Sequence, residues 1–187
     1  MGRGRPAGSG GSVGPAQAHR RRVAISRAAL RTVGACSALS ILFAAPALAA
    51  SNNVRITNLG DIAFGTVANL SADAVQSESL CVYANTATNG YNVRAIGSGS
   101  GGAFALSAGS GSLPFDVQWS ATAGQGNGVQ LSPNVALSGQ VTSATQQTCN
   151  AGPATSASLI VILRTAALSS APAGSYNGSL TLVIGAE

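Results

Sequence analysis

The chain contains no lysine, and its one histidine, His19, lies within the first 49 of 187 residues. Charge is scarce throughout, at 8% of residues, and aromatics make up 4%. Beyond residue 49 there is therefore no imidazole and no side-chain amine. General-base histidine chemistry, Schiff-base chemistry and imidazole–zinc sites are excluded there. Five acids remain, Asp61, Asp73, Glu78, Asp116 and Glu187. They are scattered, and although a glycosidase needs only two facing carboxyls, acids in turns and on solvent faces are much the commoner use. The glycine clusters Gly97–Gly102 and Gly109–Ser112 have neither a following helix nor a lysine to grip a phosphate, so they read as plain loops. No amphipathic helix longer than a turn is expected past the first 49 residues. An enzyme is not expected, and no cofactor or metal site is.

The first eighteen residues are Gly, Ala, Ser, Pro and Arg without periodicity, a composition that cannot bury a core. A basic cluster follows at Arg20, Arg21, Arg22, Arg27 and Arg31, then an uncharged apolar run from Val33 to Ala45. Ala47-Leu48-Ala49 offers the small residues a signal peptidase accepts. Residues 1–49 thus read as a disordered basic leader plus a cleaved signal peptide, with cleavage after Ala49 or one residue later. A membrane anchor would need about 18 to 20 apolar residues, and Pro46 breaks a run that is already shorter. Cys36 precedes most of the apolar stretch, the reverse of a lipid-attachment site, and Arg21-Arg22 fits the twin-arginine export pattern only in part.

Seven of the ten arginines fall in that leader. Past residue 49, Arg55, Arg94 and Arg164 stand against five acids, a net charge of −2. The basic balance of the whole chain is a property of its leader, so nucleic-acid binding is not expected. The remaining 138 residues, 50–187, suffice for one domain. They hold two cysteines, Cys81 and Cys149, and in an exported chain an even pair most simply forms one disulfide.

Strand signals run through residues 50–187. Asn53–Thr57 and Asp61–Val67 form a first pair of short runs. Gln76–Ala84 is apolar on both faces, as in a central strand, with Cys81 and Tyr83 on one face and Leu80 and Val82 on the other. Thr88-Asn89-Gly90 tolerates positive φ and reads as the turn of a hairpin into Tyr91–Ile96. Ala103–Leu106 is a short strand between loops. Phe115, Val117 and Trp119 alternate inward against Asp116, Gln118 and Ser120. Val129–Val141 holds one or two short strands around Pro133. Ser156–Thr165 is β-branched and apolar on both faces, so it belongs at the centre of a sheet. Tyr83, Phe115, Val117, Trp119 and Tyr176 are the expected core aromatics and their neighbours. Many short strands at regular spacing imply an all-β, immunoglobulin-like β-sandwich.

The last strand signal carries a further expectation. Gly174 and Gly178 punctuate a turn, after which Leu180, Leu182 and Ile184 share one face at period two. An apolar strand needs neighbours on both edges, and the sequence supplies no further strand after it. The sandwich is therefore expected to be incomplete, lacking a final strand.

This ending, Gly174-x-Tyr176-x-Gly178 followed by Leu180 to Ile184, resembles the C-terminal strand of subunits of bacterial chaperone-usher fimbriae. The order of Phe64-Gly65, Cys81, the Leu113-Pro114-Phe115-Asp116-Val117-Gln118-Trp119 run and Cys149 resembles them too. Phe64-Gly65-Thr66 is similar to the spore coat protein U type, and the Leu-Pro-x-x-Val-x-Trp run to enterobacterial colonisation-factor fimbriae. The resemblance implies a secreted structural or adhesive subunit of a surface fibre, passing through the periplasm to the cell surface. Its partners would be a periplasmic chaperone, an outer-membrane usher, neighbouring fibre subunits and a surface or glycan receptor. Phe64, Val161, Leu163, Leu180, Leu182 and Ile184 are the residues assigned to a groove that accepts a strand from another polypeptide. Ala50 to Gly60 offers only Val54 and Ile56 in step as a donor, which suits a terminal or minor subunit. A non-polymerising coat or biofilm-matrix protein and a carbohydrate-binding module are the alternative readings.

Overall fold

The computed structural model describes residues 52–187, and the arginine cluster, the apolar run with Cys36 and the cleavage site after Ala49 lie outside them. The described residues form ten strands and one short helix, in the order β1 Asn53–Thr57, β2 Ala74–Asn85, β3 Gly90–Gly97, β4 Ala105–Ala108, β5 Gly111–Pro114, β6 Asp116–Ser120, β7 Val129–Gln130, β8 Ala136–Val141, β9 Ala157–Leu163, α1 Thr165–Ser170 and β10 Leu180–Ala186. One antiparallel sheet runs β1-β2-β9-β6-β7, a second runs β10-β3-β8, and β4-β5 is a separate hairpin. The chain is an all-β sandwich with one disulfide.

Residue pattern explains the placement of the strands. Every residue of β9 is buried, as its unbroken apolar run requires, and it lies between β2 and β6. In register, Leu159 stands between Glu78 of β2 and Trp119 of β6, and Val161 between Gln76 and Val117. On β6 the alternation is clean, with Val117 and Trp119 at 0% exposure while Asp116, Gln118 and Ser120 are partly exposed. Tyr91, Val93 and Ala95 of β3 supply the facing side of the core. Across the sandwich the Trp119 indole N–H donates to the Tyr91 hydroxyl at 3.1 Å, with the rings edge to face at 6.3 Å. Burial pushes the Tyr91 phenol up to about 12, and the Trp119 bond opposes that rise only in part.

Several expectations need correction. Asn89 does take a positive φ of 54°, and Asn89 N–H donates to Thr86 O at 3.2 Å. The turn does not close a hairpin, however: the neighbours of β2 are β1, along Cys81–Asn85, and β9, along Ala74–Leu80, and β3 pairs with β10 and β8 in the other sheet. Asp61–Val67 forms no strand. Gly65 sits there at φ 60°, a left-handed step that breaks the alternation a ladder needs. The strand expected at Ala103–Leu106 begins later, at Ala105, because Ser100–Gly102 forms a 3-10 turn with Gly102 at φ 84°. Helix α1 was not anticipated; its Leu168 is buried against the core.

Tyr83 also departs from its expected place. It lies on the outer face of β2 and packs with Cys81, Ala144 and Cys149 in a small separate cluster rather than in the main core. Cys81 and Cys149 form the disulfide. Cys149 holds a φ of 51°, uncommon for a residue with a Cβ. The bridge fastens the loop between β8 and β9 to the first sheet, where Ser156 Oγ also donates to Val82 O at 2.9 Å. With its ends 68 positions apart in sequence, the crosslink stabilises the fold by roughly 4 kcal/mol through the unfolded chain's lost entropy. Guanidinium unfolding of Cys81→Ser should therefore show a stability loss of about that size with the slope little changed; a loss below ~1 kcal/mol would mean that the loop is held by its hydrogen bonds alone.

Candidate functional site

Two strand edges are left uncovered on the same side of the sandwich. β1 pairs only with Cys81–Asn85, so Ala74–Leu80 of β2 has β9 on one edge and no strand on the other. β10 pairs with β3 alone. Between these edges lies a groove of about 1170 Å³. Its floor is Leu159, Val161 and Leu163 of β9, its walls include Phe115, Leu168 and Tyr176, and Leu180 and Leu182 of β10 form one rim. This exceeds the ~300–1,000 Å³ usual for small-molecule sites.

Residues 58–73 cross the groove as an extended strap. Ile62, Phe64 and Val67 are half-buried and pack against the main core. The strap makes no backbone-to-backbone hydrogen bond of its own. It is tied near its start by Gly60 N–H donating to Glu78 Oε1 and by Asn58 Nδ2 donating to Ala154 O at 3.3 Å. At its end Asp73 Oδ1 accepts from Thr165 N–H at 2.7 Å and from the Thr165 hydroxyl at 2.9 Å. Arg164 bridges Asp73 at 2.9 Å and Asp116 at 2.6 Å. The Thr165 N–H, followed by Arg164, holds the Asp73 carboxyl below its ordinary value, and Asp116 then Asp73 raise the Arg164 guanidinium.

The second wall depends on close backbone approach. Ser107 and Asn177 exchange backbone hydrogen bonds at 2.8 and 3.1 Å, which ties the β4-β5 hairpin to the turn before β10. A Cβ at Gly178 would stand 2.9 Å from Ser98 Oγ and 3.1 Å from Ala105 O, so a side chain there would crowd both. Tyr176 donates its hydroxyl to Pro172 O at 2.9 Å and presents its ring to the groove.

Of the residues assigned from sequence, Phe64, Val161, Leu163, Leu180 and Leu182 line this one groove. Ile184 packs against the core but lies outside the lining. Phe64 reaches the groove from the strap, not from a first strand. Phe115 and Tyr176 serve the groove wall, while Val117 and Trp119 stay in the core. Sequence reasoning missed Leu168, hidden by the unexpected helix, and Glu78. The latter was legible: Leu80 and Val82 define the inward face of β2, and Glu78 has their parity. Among the described residues, no group of three or more His, Cys, Asp or Glu is placed to hold a metal.

No family model matches the chain, and no curated protein matches it. Among solved structures it is similar to one described as a chaperone–tip adhesin complex vital for synergistic activation of CFA/I fimbriae biogenesis, at 16% identity and a TM-score of 0.46. The alignment covers 73% of this chain and 41% of that one, so this chain spans less than half the length of the solved chain.

The Asp73 geometry sets a pH dependence. A carboxyl held low in the fold contributes stability above its unfolded value of ~3.9, and that contribution is lost as pH falls through the folded value. Glu187, lowered chiefly by the Gly139 N–H at 2.7 Å, acts with the same sign. Asp73→Asn should lower the melting temperature at pH 7 and flatten its decline between pH 5 and pH 2. Parallel melting curves for the variant and the parent across that range would show that the clamp contributes nothing.

Proposed function

We propose that this chain is an exported subunit of a bacterial surface fibre that receives an extended strand from another polypeptide in the groove between β2 and β10. The observation that carries this reading is the coincidence of two unpaired strand edges with an apolar groove between them. Unpaired N–H and C=O groups offer a ladder to an incoming strand, and the pockets take its alternate side chains. The disulfide fits an oxidising compartment, and the C-terminal motif supports a chaperone and an usher as the partners that deliver and assemble the subunit.

The chain is a better acceptor than donor. Val54 and Ile56, the in-step apolar residues of the stretch from Ala50 to Gly60, are already spent in its own sheet, facing Ala84 and Val82 of β2. Each buried aliphatic side chain stabilises by roughly 1.5–3 kcal/mol, so withdrawing β1 to serve a neighbour would cost this domain what the neighbour gains. That arrangement suits a terminal or minor position in the fibre.

Size-exclusion of the exported protein, with and without a co-expressed fimbrial chaperone, tests the reading. The parent should elute as a one-to-one complex with the chaperone and melt at a lower temperature without it. Leu182→Asp should abolish capture, since an ionised carboxylate in the apolar groove costs several kcal/mol. A cooperative monomer with a high melting temperature, indifferent to chaperone and to added strand peptides, would overturn it.

A further inference from the structure

The groove lining is mostly apolar, and Asp61 and Glu78 are the acids in it. Glu78 belongs to the inward face of β2, in line with Leu80 and Val82, and lines the groove beside Leu159. Its Oε1 accepts from Gly60 N–H, but its Oε2 is buried and makes no hydrogen bond within the protein. A carboxylate oxygen sealed from water without a partner is a cost that the fold carries. None of the three arginines among the described residues can relieve it. Arg164 is engaged by Asp73 and Asp116. Arg55 sits on the outward face of β1 opposite Tyr83, and Arg94 alternates outward on β3 between buried Val93 and Ala95.

We propose that Glu78 is a specificity determinant of the groove, and that the strand it receives carries a lysine or arginine in the same row as its apolar side chains, placed to pair with this carboxylate. The inference rests on the strand-accepting reading above. The Gly60 strap covers Glu78, so the incoming strand lifts the strap and replaces its single N–H donor with a cation. Charge complementarity selects the partner: a strand with apolar residues at every inward position leaves Oε2 buried and unpaired, while one with an inward cation satisfies it. The occupant is a segment of a different protein. In this chain's own first strand, Arg55 lies on the face opposite Val54 and Ile56, so a second copy would point its cation away from Glu78.

The test uses the exported protein and ten-residue peptides alternating valine with serine, in which one terminal position of the valine row is lysine, norleucine or glutamate, each made at either end of the row. Affinities are read by fluorescence anisotropy. One lysine peptide should bind about tenfold tighter than its norleucine counterpart, equivalent to 1.4 kcal/mol, and the glutamate peptide should bind weakest. Glu78→Gln should bring lysine and norleucine to within about twofold; if that variant does not fold, the peptide series on the parent protein decides alone. Equal affinity for lysine and norleucine, or a preference for norleucine, overturns the proposal and leaves strand acceptance standing. Failure of every peptide to bind overturns both. A peptide of residues 52–60 of this chain binding as tightly as the lysine peptide would make the occupant a second copy, and the proposal would fall.

Discussion

The Trp119–Tyr91 hydrogen bond, 3.1 Å between the two sheets, is the contact on which the sandwich depends. Both side chains are fully buried, and each would leave an unsatisfied polar atom in the core without the other. The bond therefore sets the spacing of the sheets at this layer, and Leu80, Val82, Val93 and Val117 belong to the same buried core. A tryptophan and a tyrosine can do this because each combines a large apolar body with one polar atom at its rim.

No comparable crosslink spans the groove. There the sheets are bridged by Ile62, Phe64 and Val67 from a strap without ladder hydrogen bonds. Backbone bonds exposed at strand edges and a lining with few cross-sheet contacts mark the low-stability end of a domain. The disulfide and the Arg164 bridge act at the borders of this region. Cys149 fastens the β8–β9 loop behind β2, and Arg164 with Asp73 fastens the strap's end to α1 and β6. Between those fixtures lies the groove between β2 and β10.

Much of the β-structure was legible because burial on one or two faces writes itself into residue order. The alternation of β6, the two-sided apolar run of β9 and the single-sided rows of β10 each appear in the structure as read. Where the reading failed, the missing information was non-local. Whether Asn89-Gly90 closes a hairpin depends on which sheet takes up β3, and β3 pairs with β10 and β8 rather than with β2. Ile62 and Phe64 alternate as a strand would, yet Gly65 at φ 60° breaks the run. Tyr83 looks like a core aromatic by type, and only the position of the disulfide loop shows which side of β2 it covers. Thr165–Ser170 is too short for a helical period to show, and its Thr165 N–H is held by Asp73, 92 residues away.

The amino-acid order alone determined the composition-level facts: no lysine, five acids and two cysteines past residue 49, and strands whose apolar faces repeat at period two. Those follow from local chemistry, since side-chain type and spacing decide what a segment can bury. Tertiary structure alone decided which edges stay open, that Phe64 reaches the groove from a strap, and that Glu78 Oε2 is enclosed without a donor. Edge pairing and enclosure depend on what every other strand has already taken up, and period-two alternation places Glu78 on the inward face without revealing that its Oε2 finds no donor there.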